Sequence, residues 1–200
     1  MVDSPTVGVQ LSSDETRAIV LLRQGDIAGL EALVRLHQVR ALRAAYAITG
    51  DRHAAEDVVA DSFLTVYDRI HQLDERRPFT PWFYRIVVNA ALKSQRRAAN
   101  TAFTDDDMEW LDQQADQSPG PEEKAAMREM RHLLLAAIYT LPPKQRAALV
   151  LRYYLDMDEA TIAATLRCPL GTIKWRLHSA RRHLRRSLTP IIHELAYNND

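Results

Sequence analysis

A chain of 200 residues that is 46% hydrophobic and 26% charged has the composition of a globular protein, with room for one large domain or two small ones. Equal numbers of cationic and anionic side chains, 26 of each, give a formal net charge of zero, which averages blocks of opposite sign. The single cysteine, Cys168, excludes an internal disulfide and a four-cysteine zinc site, while the lack of a signal-like start or of a ~18-residue apolar run leads to the expectation of a cytoplasmic protein without membrane insertion.

Val and Ile recur mostly on a 3.6-residue spacing rather than in alternation, so helix is expected throughout. Residues 1–12 read as a loose leader. Ser13 or Asp14 can cap a short helix carrying Ile19, Val20 and Leu22 toward Gly25, and Asp26 opens a longer one to about Thr49 with Leu30, Leu33, Val34, Val39, Leu42 and Tyr46 at threes and fours. Gly50 and Asp51 stop it. A third helix, from about Arg52 to Ile70, buries Ala55, Val58, Val59, Ser62, Phe63 and Val66 and shows Glu56, Asp57 and Asp61 on its other side.

The pattern breaks over His71 to Arg77, a polar loop. Thr80 before Pro81 reads as a capping hydroxyl ahead of the first helical position, where proline is tolerated. The helix that follows, to about Ala98, mixes Trp82, Phe83, Tyr84, Ile86, Val87 and Val88 with Arg85, Asn89, Lys93, Arg96 and Arg97. Aromatic residues interleaved with cations suit unpaired bases and phosphates; the plainer reading is that Trp82, Phe83 and Ile86 are core.

Residues 101–123 contain Asp105, Asp106, Asp107, Glu109, Asp112, Asp116, Glu122 and Glu123 with no Lys or Arg, and SPGP at 118–121 breaks any helix. This is a flexible acidic linker, its charge serving either to solvate a tether or to mimic nucleic acid along a basic channel. Beyond it, one helix from about Glu123 to Tyr139 turns Met130, Leu133, Leu134, Ala137 and Ile138 inward. A second, about Lys144 to Tyr154, does the same with Ala147, Leu149, Val150, Leu151 and Tyr153. A short helix from about Glu159 to Leu166 and a long basic one then form a helix-turn-helix.

From Arg167 to Ser187 the cations Arg167, Lys174, Arg176, Arg181, Arg182, Arg185 and Arg186 stand without one Asp or Glu. At about 100° per residue, Ile173, Leu177, Ala180, Leu184 and Leu188 share the inward sector, and Thr172, Trp175, Ser179, Arg182 and Arg186 the outward one. Pro169 suits the first turn, and free N–H groups near Leu170, Gly171 and Thr172 suit a phosphate. Trp175, aimed outward, either meets a thymine methyl or sugar or is covered by a partner protein. Cys168 reads as a packing residue at the turn, with a redox role as the rarer alternative.

These stretches together resemble the extracytoplasmic-function sigma factors, which keep only sigma region 2 and sigma region 4. The resemblance rests on GDRHAAEDVVADSF, RRPFTPWFYRIVVNAAL, LPPKQRAALVLRYYLDM and CPLGTIKWRLHSARRHLR, in that order, and covers about 20–98 and 123–188. It implies an all-α chain of two small helical domains: leader 1–12, region 2 over 13–100, acidic linker 101–122, region 4 over 123–190 and a tail 191–200.

The implied partners are core RNA polymerase (its beta prime clamp helices and beta flap), promoter DNA and an anti-sigma factor. No cofactor or metal is implied. Carried over by position, Glu56, Asp57, Asp61 and Phe63 would meet the polymerase. His71, Asp74, Arg76, Arg77, Trp82, Arg85, Asn89 and Lys93 would meet the opening −10 element, where flipping a base out is offset by stacking and contacts. Leu170, Gly171, Thr172, Lys174, Trp175, Arg176, Ser179, Arg181 and Arg182 would read the −35 element in the major groove. The acidic segment resembles the linker that runs toward the RNA exit channel, which favours the mimicry reading. Three residues depart from the family pattern: Ala60 for a usual Gln, Thr161 for a usual Glu, and Trp175 for a small residue.

An enzyme is not expected. The seven His are scattered, His178 and His183 do not share a helical face, and no nucleophile motif occurs. The rivals to a promoter-specificity subunit are a stand-alone helix-turn-helix repressor or activator, and a regulatory interaction protein held by an antagonist.

Overall fold

The computed structural model describes residues 13–74, 76–95, 110 and 121–197, with side chains over 130–189 in the last stretch. Among the described residues there is helix and no strand. The N-terminal domain holds α1 (Ser13–Arg23), α2 (Ile27–Thr49), α3 (Arg52–Arg69) and α4 (Phe79–Gln95). The C-terminal domain holds α5 (Pro121–Tyr139), α6 (Pro143–Leu149), α7 (Glu159–Thr165) and α8 (Leu170–Tyr197).

Local chemistry sets most boundaries. Asp26, Asp51 and Asp158 cap α2, α3 and α7 by accepting from the backbone N–H of Ala28, Ala54 and Thr161. Gly50 ends α2 in the left-handed conformation at φ 71°, its N–H bonded to the Tyr46 carbonyl. The expected inward face of α3 is buried residue for residue: Ala55, Val58, Val59, Ser62, Phe63 and Val66. Phe63, Phe79 and Phe83 form the aromatic centre beneath it, Phe63 lying 4.9 Å from Phe83 and Phe79 stacked on Phe83 at 5.5 Å.

Several expectations are corrected. Helix α4 begins at Phe79, not after a Thr80 cap; Phe79 is fully buried, and Thr80 instead donates to Glu15 Oε1 at 3.4 Å. Glu15 is itself buried and sits 2.8 Å from His37 Nε2, so α1 is fastened to α2 and α4 by a polar cluster. Helix α5 begins at Pro121, where a proline can occupy the first turn, rather than at Glu123. Met130 and Leu134, expected inside, are 46% and 40% exposed, and Tyr153 is 60% exposed, because Leu134 and Tyr153 line an open groove between the domains. The helix expected over 144–154 ends in a π turn, Val150–Tyr154, and α8 runs through the expected tail to Tyr197. The leader 1–12, residues 96–98 and all of the linker 101–120 except Trp110 lie outside the described residues.

The domains share one apolar core. Arg146 on α6 is only 3% exposed. Its Nη1 donates to the Ile48 carbonyl at 2.9 Å, and its Nη2 donates to the carbonyls of Tyr139 at 2.9 Å and Leu141 at 3.1 Å. Tyr139 donates from its hydroxyl to the Tyr46 carbonyl at 2.9 Å and lies under the Arg146 guanidinium, 4.9 Å from ring centroid to Cζ. Arg40 donates to the Tyr154 carbonyl at 3.0 Å.

Gly29 lies inside α2 where α1 crosses it, and a Cβ there would sit 2.4 Å from the Ala18 carbonyl oxygen and 2.4 Å from the Leu22 nitrogen. Gly29→Ala should therefore destabilise by about 1 to 3 kcal/mol through overpacking, against the roughly 1 kcal/mol by which Ala is favoured in a helix; thermal unfolding measures the sign. Asp158→Ala should cost about 1 kcal/mol through loss of the cap. The Thr161 N–H holds the Asp158 carboxyl below the ordinary Asp range. This contribution is therefore full at neutral pH and disappears as the pH falls through that lowered value, which urea titrations at neutral and strongly acid pH should show.

Candidate nucleic-acid interface

The C-terminal pair α7 and α8 has the geometry of a DNA reader. Ile162 on α7 and Ile173, Leu177 and Ala180 on α8 are buried together, and Leu184 packs partly against them. The turn between them places Arg167 at φ 48°, a left-handed conformation that a side chain adopts at a cost, and closes with Cys168 N–H bonded to the Ala163 carbonyl at 3.0 Å. Turned away from that core, Leu170, Gly171, Lys174, Trp175, Arg181 and Arg182 are exposed, Trp175 by 60%, while Thr172, Arg176 and Ser179 are half-buried. Arg176 leans back to place Nη1 3.5 Å from Cys168 Sγ. The outward tryptophan expected from the helical wheel is thus observed.

In the N-terminal domain the polar loop starts with a 3-10 turn at Ile70–Gln72, His71 exposed and Leu73 tucked in. Arg23 of α1 donates to the Leu73 carbonyl. Asp74 accepts from the Arg76 N–H at 3.0 Å and pairs with Arg76 and Arg77 at 3.4 and 3.7 Å, so its carboxylate shapes the loop and holds both arginines at the surface. On α4, Trp82, Arg85, Asn89 and Lys93 form one stripe; the last two are exposed and the first two half-buried.

On α3, Asp57 and Asp61 are exposed beside Leu64 and Tyr67, which are 61% and 46% exposed. Glu56 is half-buried and bonded to Arg52 Nε at 3.0 Å. Phe63 is corrected as a contact residue: at 6% exposure it is packed on Phe83 and has no face to offer a partner.

Comparison with known proteins gives this geometry a family. The family model for sigma-70 region 2 matches residues 33–101, and that for sigma-70 region 4 matches 131–184. The chain belongs to the sigma-70 family, as an extracytoplasmic-function sigma factor. It is 33% identical over 184 residues to the ECF RNA polymerase sigma factor SigE of Mycolicibacterium smegmatis, covering 88% of this chain and 69% of that one. It is 26% identical over 178 residues to SigW of Bacillus subtilis, covering 86% and 95%. Among solved structures, CnrH in complex with the cytosolic domain of CnrY superposes with a TM-score of 0.64 at 22% identity, over 88% of this chain and 97% of CnrH. The sigma factor RpoE of Bartonella quintana, solved with the anti-sigma factor NepR, gives 0.59 at 20% identity, over 80% and 94%; both show the shared fold.

A sigma factor binds core RNA polymerase and directs promoter-specific initiation; it is an initiation factor, and the polymerase supplies the catalysis. A region 2 module in the N-terminal half removes the ground for a stand-alone repressor, which needs a ligand or dimer domain there. Among the described residues no helix is long and apolar enough to cross a membrane.

Two residues that sequence reasoning missed belong to the junction between the domains. Trp110, from the acidic segment, is 4% exposed, lies 5.5 Å from Tyr46 and sits beneath the Arg52 guanidinium at 5.4 Å. A tryptophan inside a run of aspartates was the available signal. Arg146 was visible as a cation opening the apolar run of KQRAALVL, but nothing in the sequence shows which carbonyls it meets.

Trp175→Phe should remove the red-shifted, readily quenched part of the tryptophan emission while leaving stability within ±0.5 kcal/mol, as expected for an exposed site. Acrylamide quenching and a thermal melt check both; retention of the quenchable component would show that Trp82 or Trp110, not Trp175, faces water.

Proposed function

We propose that this sigma factor reads the −35 element with the outward face of α8 and opens the −10 element with the loop and stripe between His71 and Lys93. The observation that carries the reading is the two-sided α8, apolar through Ile173, Leu177 and Ala180 and exposed through Lys174, Trp175, Arg181 and Arg182. Such a helix can seat itself in a major groove without disturbing its own core. Lys174 and Arg176 are the candidates for base edges, Leu170 and Gly171 offer N–H groups to a phosphate, and Trp175 supplies an apolar surface for a thymine methyl. Thr172, Ser179, Arg181 and Arg182 complete the reading face.

Trp82, Arg85, Asn89 and Lys93, with His71, Arg76 and Arg77, make the −10 face, where aromatic and guanidinium planes accept unstacked bases. Asp57 and Asp61 offer carboxylates to the beta prime clamp helices of the polymerase, with Leu64 and Tyr67 supplying apolar area beside them. Region 2 occupies 13–100, the acidic linker 101–122 and region 4 123–190 in this reading, and the chain acts in the cytoplasm with the polymerase. An anti-sigma factor is a further partner, as in the relatives solved with one. The inter-domain groove of about 640 Å3, apolar along Leu134, Leu135, Ile138 and Val150 and rimmed by Arg181 and Arg185, suits an amphipathic acidic helix.

Run-off transcription with core polymerase and a promoter library tests the whole reading: no initiation above core alone, together with tight duplex binding by the free chain, would sink it. Lys174→Ala and Arg176→Ala should each weaken −35-dependent initiation by about 1 to 3 kcal/mol if the contact is bidentate to a base, and unchanged activity in both would place the reading face elsewhere. Asp61→Arg should lower affinity for core polymerase in a pull-down or fluorescence titration without altering the melting curve. Intact core binding would exclude the α3 surface.

A further inference from the structure

Helix α1 lies upstream of residues 33–101, where the family model for region 2 matches, so that match assigns it no role. It is nevertheless fastened at both ends to the elements assigned to the −10 element. At its start Glu15 is buried, 2.8 Å from His37 Nε2 of α2, and accepts from the Thr80 hydroxyl at 3.4 Å, in the turn of α4 that also holds Trp82. Further along, Ala18 and Leu22 are buried where α1 crosses α2 at Gly29. At its end the half-buried Arg23 donates from Nη2 to the Leu73 carbonyl in the polar loop.

The loop consists of consecutive turns, one closed by the Leu73 N–H on the Ile70 carbonyl at 3.1 Å, the next by the Arg77 N–H on the Asp74 carbonyl at 2.9 Å. The Asp74 carboxylate holds Arg76 and Arg77 within the loop and moves with it. Leu73 stands at the joint of the turns and ties them to the domain, its side chain buried and its carbonyl on Arg23. Burial of the side chain fixes where the joint lies. The hydrogen bond to its carbonyl fixes the plane of the following peptide, and so the direction in which the second turn presents Arg76 and Arg77. We propose that Arg23 is a positioning residue for promoter opening: α1 is a splint that sets the loop toward the α4 stripe before DNA arrives. The inference rests on the assignment of the loop and α4 to the −10 element. A loop already in place removes its ordering cost from the step in which a base leaves the stack. A hydrogen bond from a guanidinium is among the stronger ones and suits that task.

The test uses holoenzyme assembled from core polymerase with the full chain as wild type, Arg23→Met or Arg23→Lys. Methionine keeps an unbranched stem without a donor, and lysine keeps the charge and a donor without the planar fork. A promoter that the wild-type holoenzyme opens carries a fluorescent base analogue in its −10 region, and a concentration series separates closed-complex affinity from the rate of opening. Opening is expected to slow about tenfold in Arg23→Met and about threefold in Arg23→Lys, with core affinity and closed-complex affinity unchanged to within about twofold.

Circular dichroism and a thermal melt show whether Arg23→Met folds; if it does not, Arg23→Lys carries the test. Opening at the wild-type rate overturns the splint. So does an equal loss of core affinity, which would make Arg23 a residue of stability alone, or a weaker closed complex with a shallower salt dependence, which would make it a phosphate contact. Arg77→Ala and Trp82→Ala in the same assay keep the inference apart from the reading it rests on. If they slow opening and Arg23→Met does not, the splint fails and the −10 face stands. If neither slows opening, the −10 face fails and the splint with it.

Discussion

A guanidinium that meets three backbone carbonyls joins the two halves of this protein. A helix leaves its last carbonyls without internal partners and concentrates partial negative charge at that end. Helices α2 and α5 both finish beside Arg146, and the Ile48 and Tyr139 carbonyls at their ends, with that of Leu141, accept from its N–H groups. Burial pulls the Arg146 pKa below the usual arginine range, yet the group keeps its charge because arginine starts so far above neutral pH. Three neutral acceptors and the face of Tyr139 replace the lost water. The same contact that satisfies α5 within its own domain therefore also fixes α5 to the end of α2, and the junction cannot be weakened without leaving carbonyls unpaired in both domains.

Everything around the junction is arranged by it. Gly50, needed for its left-handed φ of 71°, also lets the Tyr139 ring approach to where a Cβ would stand 3.2 Å away. Tyr46 carries Tyr139 edge-on at 6.1 Å on one side and Trp110 at 5.5 Å on the other, so the acidic segment, the region 2 helices and the region 4 helices meet on one aromatic ring. Tyr84, buried near Arg40 and Tyr154, has its hydroxyl pKa pushed up chiefly by that burial. The exposed apolar side chains fall where this packing leaves an edge: Leu134 and Tyr153 on the groove, Leu64 and Tyr67 on the outer face of α3.

The helices, their caps and the inward faces of α3 and α8 were legible in the sequence because they follow from local rules. An Asp before an apolar period caps a helix, and a period of 3.6 sorts a helix into two faces. The motifs resembling regions 2 and 4 were legible for the same reason, being contiguous stretches of helix. Where reading failed, the competing force was tertiary. Phe63 satisfied a motif that suggested a contact residue, but Phe83 lies against it. Leu134 and Tyr153 had the right period to be core, yet the core beside them stops at a groove. Thr80 had the form of a cap, but Phe79 before it is drawn into the helix by its burial.

By itself the sequence determined an all-α chain, a cationic helix with one apolar side, and the order of two recognisable regions around an acidic segment. These depend on which side chains are near neighbours along the chain. Only the tertiary structure decided that Arg146 caps helices in both domains, that Trp110 is anchored beneath Arg52, and that α7 lines a cleft with Trp82 and Arg85 of α4. These depend on pairs separated by many residues, such as Arg146 with Ile48 and Arg40 with Tyr154, and no periodicity along the chain records which distant carbonyl a buried cation will find.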